Sequence, residues 1–369
     1  MRLNTDFYPT ERLHAGVDVA LRRSSDREPN AMGSVLWNMF HDTPPMTVAK
    51  YPDGTYGWSD NGHNPLAYAE AYGTVDRSTR HGLVNARADY ELMDGLFIRT
   101  QASANQNDWE YRNWRNEVFF RDYWDPSVIR KSVTPNQLDN RMSRDTEIYL
   151  RGLVEYTRTF GEHDLTAMAG YDQTSRDWRE IRAIRRGFYN NELQEINVGD
   201  ASQEDTWGTS SEWALRSGFG RINYGYLDRY LFEANLRYDG SSRFAKGNRF
   251  GFFPSFSAGW RISQESFFNI PWINEFKLRG SWGKMGNQEI DLYAFYPLIV
   301  LGGGDRNYVF GDQLVPGAAK VALANQDISW EATTMTDFGL DATFLNGRLT
   351  FTGDVYRKDS NDILRRLDV

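Results

Sequence analysis

Tyr230-Leu231-Phe232-Glu233-Ala234-Asn235-Leu236-Arg237-Tyr238 separates into two faces when alternate residues are read. Tyr230, Phe232, Ala234, Leu236 and Tyr238 fall on one side, and Glu233, Asn235 and Arg237 follow Leu231 on the other. Side chains alternate across a strand with a period of two, so this pattern reads as a strand between one apolar and one polar environment. The same split recurs outward along the chain. Phe252, Pro254, Phe256, Ala258, Trp260 and Ile262 alternate with Phe253, Ser255, Ser257, Gly259 and Arg261. Val84, Ala86, Ala88, Tyr90 and Leu92 alternate with Asn85, Arg87, Asp89 and Glu91. Thr336, Phe338, Leu340, Ala342 and Phe344 alternate with Asp337, Gly339, Asp341 and Thr343. Helical stripes are scarce.

Short turn sequences join these strands: Met93-Asp94-Gly95, Gly161-Glu162-His163-Asp164, Leu227-Asp228-Arg229, Ile273-Asn274-Glu275 and Leu345-Asn346-Gly347. Asn346-Gly347 is the strongest, because a type I′ hairpin needs positive φ at both central positions. The intervals between consecutive tight turns accommodate two strands of roughly ten residues and one long polar loop. Membrane barrels alternate short turns with long loops in this way, whereas sandwiches show turns every 8 to 12 residues or so. The expected fold is all-β: an antiparallel transmembrane β-barrel wall of roughly eleven or twelve strands.

Bulk properties agree. Hydrophobic residues make up 40% of the 369 residues, yet aromatics reach 15% through 22 Phe, 20 Tyr and 12 Trp. Low apolar content carried by large rings suits a wall whose alternate residues meet hydrocarbon and whose rings mark both interfaces. A net charge of -8 argues against a dedicated nucleic-acid binder. The lack of cysteine excludes a disulfide framework and cysteine-based metal sites. Met1-Arg2-Leu3-Asn4-Thr5 leads into polar sequence without an apolar signal core, so export implies an upstream segment. The apolar stretch from Ala294 to Leu301 is far short of the roughly 20 residues a spanning helix needs. Any membrane span is therefore made of strands.

Catalytic signals are weak. His14, His41, His63, His81 and His163 show no ligand spacing and read as ordinary surface or loop residues. Gly302-Gly303-Gly304-Asp305 is not followed by Lys-Ser/Thr and a helix, so it reads as a loop tip rather than a phosphate cradle. Gly280-Ser281-Trp282-Gly283 lacks the spacing of a nucleophile elbow, and nothing fixes two carboxylates as a glycosidase pair. No catalytic, cofactor or metal residue is expected, and the chain is not read as an enzyme.

The stretch from Trp109 to Trp124 is read as an aromatic loop in which Arg112, Arg115 and Arg121 interleave with the rings. Trp109, Tyr111, Trp114, Tyr123 and Trp124 are its candidate substrate-binding residues, since rings and planar donors can stack on and hydrogen-bond sugars or peptides. An interfacial belt or simple loop packing is the plainer reading. One strand, from Leu96 to Ala104, separates this loop from the turn at Met93-Asp94-Gly95, which places the loop outside the cell if that turn is periplasmic.

Phe219-Gly220-Arg221-Ile222-Asn223-Tyr224, Asp228-Arg229-Tyr230-Leu231 and Arg237-Tyr238-Asp239-Gly240-Ser241-Ser242-Arg243-Phe244 resemble the barrel region of SusC/RagA-type TonB-linked outer-membrane transporters. The resemblance continues, in the family's order, through Phe253-Pro254-Ser255, Ala258-Gly259-Trp260-Arg261, Lys277-Leu278-Arg279-Gly280-Ser281-Trp282-Gly283 and Gly286-Asn287-Gln288. Ile328-Ser329-Trp330-Glu331, Gly339-Leu340-Asp341 and Phe344-Leu345-Asn346-Gly347-Arg348-Leu349 extend it towards the C-terminus. It is specific over residues 150–360 and looser before.

The resemblance implies a 22-stranded barrel with an N-terminal plug domain and TonB box in the Gram-negative outer membrane. It also implies import of oligosaccharide or peptide powered through TonB, beside a SusD-like surface lipoprotein. Residues 1–369 are expected to be part of that barrel with no plug domain, because no plug-like segment precedes the strands and Asp368-Val369 is not the aromatic terminus usual for such barrels. A passive porin or structural barrel is the alternative. A soluble carbohydrate-active β protein comes third.

Overall fold

The computed structural model describes residues 1–41, 43–58, 64–301, 307–320 and 324–365. His63, Gly302-Gly303-Gly304-Asp305 and Asp368-Val369, singled out above, lie outside the described residues.

Twelve strands form one sheet in sequence order: β1 (Arg2–Thr10), β2 (Leu13–Pro29), β3 (Gly73–Met93), β4 (Leu96–Arg115), β5 (Gln137–Phe160), β6 (His163–Arg186), β7 (Asp200–Tyr226), β8 (Tyr230–Ser241), β9 (Phe250–Arg261), β10 (Ile273–Asn287), β11 (Glu331–Phe344) and β12 (Leu349–Asn361). Every neighbouring pair is antiparallel. β1 and β12 are the two edges.

Register explains the alternation. Thr166, Asn223, Glu233, Ser257, Ser281 and Asp337 lie opposite one another across β6 to β11, a continuous polar row. One residue along, Leu165, Tyr224, Phe232, Ala258, Gly280, Phe338 and Val355 form an almost wholly apolar row. A one-residue step moves a side chain to the other face, so the two rows belong to opposite surfaces. The apolar face is bare: Phe338 is 68% exposed and Val355 77%. Rings and aliphatic chains in that state require hydrocarbon, and the surface of a membrane barrel supplies it. In a barrel wall the polar face is the inner, concave one, and a recess of about 500 Å³ is lined there by Asn223, Glu233, Ser257, Lys277, Arg279 and Asp337.

The tight turns all sit at one end of the strands. Leu227 and Asp228 adopt φ of 56° and 53°, and Leu345, Asn346 and Gly347 adopt 54°, 56° and 83°. At Gly95 (φ 79°) a Cβ would lie 2.2 Å from the Thr157 carbonyl oxygen, so the turn residue there has to be glycine. Ile273-Asn274-Glu275 is not the expected hairpin turn. Residues 262–272, including the 3₁₀ turn Ile262–Gln264, make that connection, and Ile273 and Glu275 flank a register shift at the start of β10. Asn274 instead braces the next turn by accepting from the Asn346 amide at 2.7 Å.

The opposite ends of the strands carry the long connections. Described residues within 30–72 and 116–136 build a small crown: helix α1 (Met32–His41), helix α2 (Pro65–Glu70) and a three-stranded sheet of Tyr56–Gly57, Val118–Arg121 and Ile129–Val133. Its core is Ala67, Val118 and Phe120. Asn64 starts α2 by accepting from the Ala67 amide at 3.1 Å while donating to the Ala49 and Gly57 carbonyls at 2.9 Å each.

Candidate functional site

The strands on the N-terminal side run much longer than a membrane needs: 20 residues in β4, 24 in β5 and β6 and 27 in β7. This corrects the aromatic loop. β4 continues to Arg115, so Trp109, Tyr111 and Trp114 are strand residues, and only Tyr123 and Trp124 are in a loop. The physical reason is that beyond the hydrocarbon both faces of a strand meet water, so Gln106-Asn107-Asp108 shows no apolar alternation and reads as loop.

Period two then sorts the five candidates. Trp109 and Tyr111 face the concave side, Trp109 stacked on Tyr111 at 5.6 Å. Trp114 points the other way and is 1% exposed, packed against Leu138 and Phe188 beneath the connection 187–199. Its indole N–H donates to Asn116. Trp124 is 85% exposed and meets Tyr123 edge-on at 4.9 Å. The five therefore form three separate environments.

The concave wall around Tyr111 holds residues that sequence reading missed. Asp26, Arg77, Tyr111, Arg141, Arg182 and Trp207 lie opposite one another across β2 to β7. The Tyr111 ring sits between two guanidiniums, Arg141 at 5.2 Å and Arg77 at 5.9 Å. Arg77 is held by Glu28 at 2.7 Å and Asp26 at 3.1 Å. Arg141 and Arg182 share Asp139, at 3.1 and 2.8 Å. Burial pushes the Asp139 carboxyl upward, but the hydrogen bonds from Arg182 and Arg141 outweigh it and hold the group below the usual carboxylate range. Trp207 closes the row, half exposed. Counting by twos from Ile148 back to Leu138 would have placed Arg141 and Asp139 on the inner face.

Deeper on the same wall, charges are again interleaved. Arg237 lies between Asp239 at 2.8 Å and Asp172 at 3.3 Å, and Arg279 reaches Asp354 at 2.6 Å, Asp341 at 3.1 Å and Asp337 at 3.4 Å. His14 lies 2.9 Å from Asp6 on this wall, while on the apolar side His163 lies 2.7 Å from the Tyr224 hydroxyl. Among the described residues no cluster of His, Asp or Glu could hold a metal ion. The wall offers rings, guanidiniums and carboxylates to a polar solute.

Comparison with known proteins follows this geometry. The family described as "TonB dependent receptor-like, beta-barrel" matches residues 22–369. The TonB-dependent receptor SusC of Bacteroides thetaiotaomicron is 36% identical over 94% of the chain, which covers 33% of that relative. The TonB-dependent receptor P39 of Formosa agariphila is 30% identical over 91% of the chain and 31% of its own length. The chain thus spans about a third of the curated relatives it matches. The solved structure of the RagAB peptide transporter superposes with a TM-score of 0.80 at 23% identity, over 100% of the chain and 41% of that protein.

Proposed function

Because the chain belongs to the TonB-dependent receptor-like β-barrel family, whose members reside in the outer membrane of Gram-negative bacteria, we propose that it forms part of the wall of an uptake receptor for glycans or peptides. The observation that carries this reading is the pair of register rows: bare apolar residues on one face, interleaved charges and rings on the concave other. A wall of this kind holds a polar path through hydrocarbon and makes or breaks no bond.

In this reading residues 1–369 are barrel wall throughout, and the plug domain and TonB box belong to the remainder of the parent protein. A SusD-like lipoprotein captures the solute at the surface. Trp109 and Tyr111 contact solute on the inner wall, and Tyr123 and Trp124 meet it at the mouth. Trp114 supports the wall from behind. The RagAB likeness, at 23% identity, supports the fold, and the SusC relative supports energy supplied through TonB; the uptake experiment decides between glycan and peptide.

The test is uptake of labelled oligosaccharides and peptides by intact cells carrying the parent gene, with and without functional TonB. Uptake that requires both supports the proposal. Uptake that survives loss of TonB would replace it with the passive porin.

A further inference from the structure

Towards the crown the charges of the inner wall stop balancing. On β4 the inward residues run Trp109, Tyr111, Asn113 and Arg115, on β5 Arg141, Asp139 and Gln137, and on β6 Arg182, Ile184 and Arg186. Period two is unbroken through these segments, so all of them stand on the inner face. Arg115 lies opposite Gln137 and Gln137 opposite Arg186, the last inward row of the three strands.

Arg141 and Arg182 lie directly opposite each other, an arrangement that destabilises an antiparallel pair when no anion intervenes. Asp139 is that anion, and it serves both. The last row has none. Arg115 donates from Nη2 to the Pro135 carbonyl at 3.2 Å, and Arg186 donates from Nε to the Gln137 side-chain oxygen at 3.1 Å. Among the described residues neither arginine has an ion-pair partner or a further hydrogen bond. Asp200 lies opposite Arg186 in register, but Ser202 and Gln203 take its two oxygens. Asp205 acts on Arg182 only through a longer-range charge.

Four guanidiniums on β4 to β6 therefore share one carboxylate. Burial and the charge of Arg186 hold the Arg115 guanidinium below the usual arginine range, which is the cost of two cations left together. Both residues are partly exposed, so a solute on the inner wall can reach them. Two strand spacings separate them, roughly 10 Å between backbones, which two long side chains can close around one small anion. The planar fork of a guanidinium matches a carboxylate through two parallel N–H bonds.

We propose that this end of the inner wall selects solutes that carry carboxylates. One carboxylate bridges Arg115 and Arg186, and the units beside it lie against Tyr111 and Trp109. Arg115 is four residues past Tyr111 on the same strand, roughly 13 Å, so a short extended solute spans both. Uronic-acid glycans and acidic peptides offer the same group. The inference rests on the uptake reading of this wall and narrows it from polar solutes to acidic ones.

The test uses the complete parent receptor, immobilised in mild detergent and offered one mixed pool, with the retained members identified by mass spectrometry. The pool contains oligogalacturonides, neutral xylo-oligosaccharides, and synthetic peptides with and without Asp and Glu. Carboxylate-bearing members should be enriched roughly tenfold over their neutral counterparts, the worth of one charged hydrogen-bonded contact. Methyl esterification of the pool should abolish that enrichment, and R115Q/R186Q should lose it with the untreated pool. Whether glycans or peptides dominate the retained acids names the source of the carboxylate. A retained fraction without enrichment in carboxylates, an empty one included, overturns the proposal, and so does an enrichment that survives esterification. Neither result relies on a variant. TonB-dependent uptake confined to neutral solutes would overturn it while leaving the receptor reading in place.

Discussion

Arg182 grips Asp139 through two parallel hydrogen bonds, Nε to Oδ1 at 2.9 Å and Nη2 to Oδ2 at 2.8 Å, reaching across from β6 to β5. Arg141 adds a third bond to Oδ2 at 3.1 Å from the same strand as the carboxylate. Two cations on one carboxylate whose side chain is only 4% exposed hold the crown-side ends of β5 and β6 together.

This contact sets the first expectation. The Asp139 pKa is lowered in the folded state, so its contribution is complete above the ordinary aspartate value near pH 4 and is lost as pH falls through the depressed native value. Asp139→Asn should cost about 1 to 2 kcal/mol at neutral pH, the low end for a charged pair, because both arginines are about a third exposed. Thermal unfolding of the full protein in detergent, followed from pH 7 to pH 2, should show the two proteins converging in acid. A constant gap would mean that the carboxylate charge is not what stabilises.

The second expectation concerns the faces. Cysteines at Phe232, Leu236, Phe256, Trp260, Phe338 and Phe344 should resist a membrane-impermeant thiol reagent, and those at Glu233, Arg237, Ser257, Arg261 and Asp341 should react. Phe344 also stacks on Trp272 at 5.8 Å, which shields it further. Phe338→Arg should destabilise the inserted barrel by about 2 to 4 kcal/mol if it lies near the midplane. Equal labelling of the two groups would remove the basis for a lipid face.

Strand type and turn edge were legible in the sequence because the apolar and polar environments are imposed on alternate residues from Tyr230 to Tyr238, and because Asn346-Gly347 can satisfy positive φ. Strand length was not, since alternation fades at Gln106 while β4 runs on to Arg115. The expected candidate site therefore took in Trp114, and it missed Arg141 and Arg182, whose meaning depends on which strands become neighbours. Helix α1 was missed for a related reason: its ten residues, Met32–His41, make only about three turns and stand among long polar connections.

Trp114 and Trp109 should separate stability from uptake. Trp114→Ala should cost about 3 to 5 kcal/mol, the range for emptying a buried aromatic site, by releasing Phe188 and the connection above it. Trp109→Ala, on the open inner wall, should cost far less in melting temperature but lower solute uptake by roughly 2- to 10-fold, the worth of one lost stacking contact. If Trp109→Ala changes neither quantity, the inner wall near Tyr111 is not on the solute path.

An epitope tag inserted beside Trp124 should be reached by antibody on intact cells. Trp124 is 85% exposed and lies in a connection at the strand ends opposite the tight turns. Detection only after the outer membrane is opened would invert the topology.

The last expectation concerns these 369 residues made alone. β1 pairs only with β2 and β12 only with β11, so each edge leaves a row of amide and carbonyl groups without strand partners. In hydrocarbon each such group costs on the order of several kcal/mol, which is why spanning sheets close on themselves. Closure needs strand number, tilt and shear to agree, and β1 and β12 do not pair with each other in this sheet. The bare apolar residues of β12, among them Phe351 at 52% exposure and Val355 at 77%, would then drive edge-to-edge association in water. Electrophoresis in detergent after refolding reads the outcome, because a closed barrel migrates differently unheated and boiled. The isolated chain should show no such shift and should be digested readily by protease. A heat-modifiable, protease-resistant band would mean that the two edges can meet, and that twelve strands suffice for a barrel of their own.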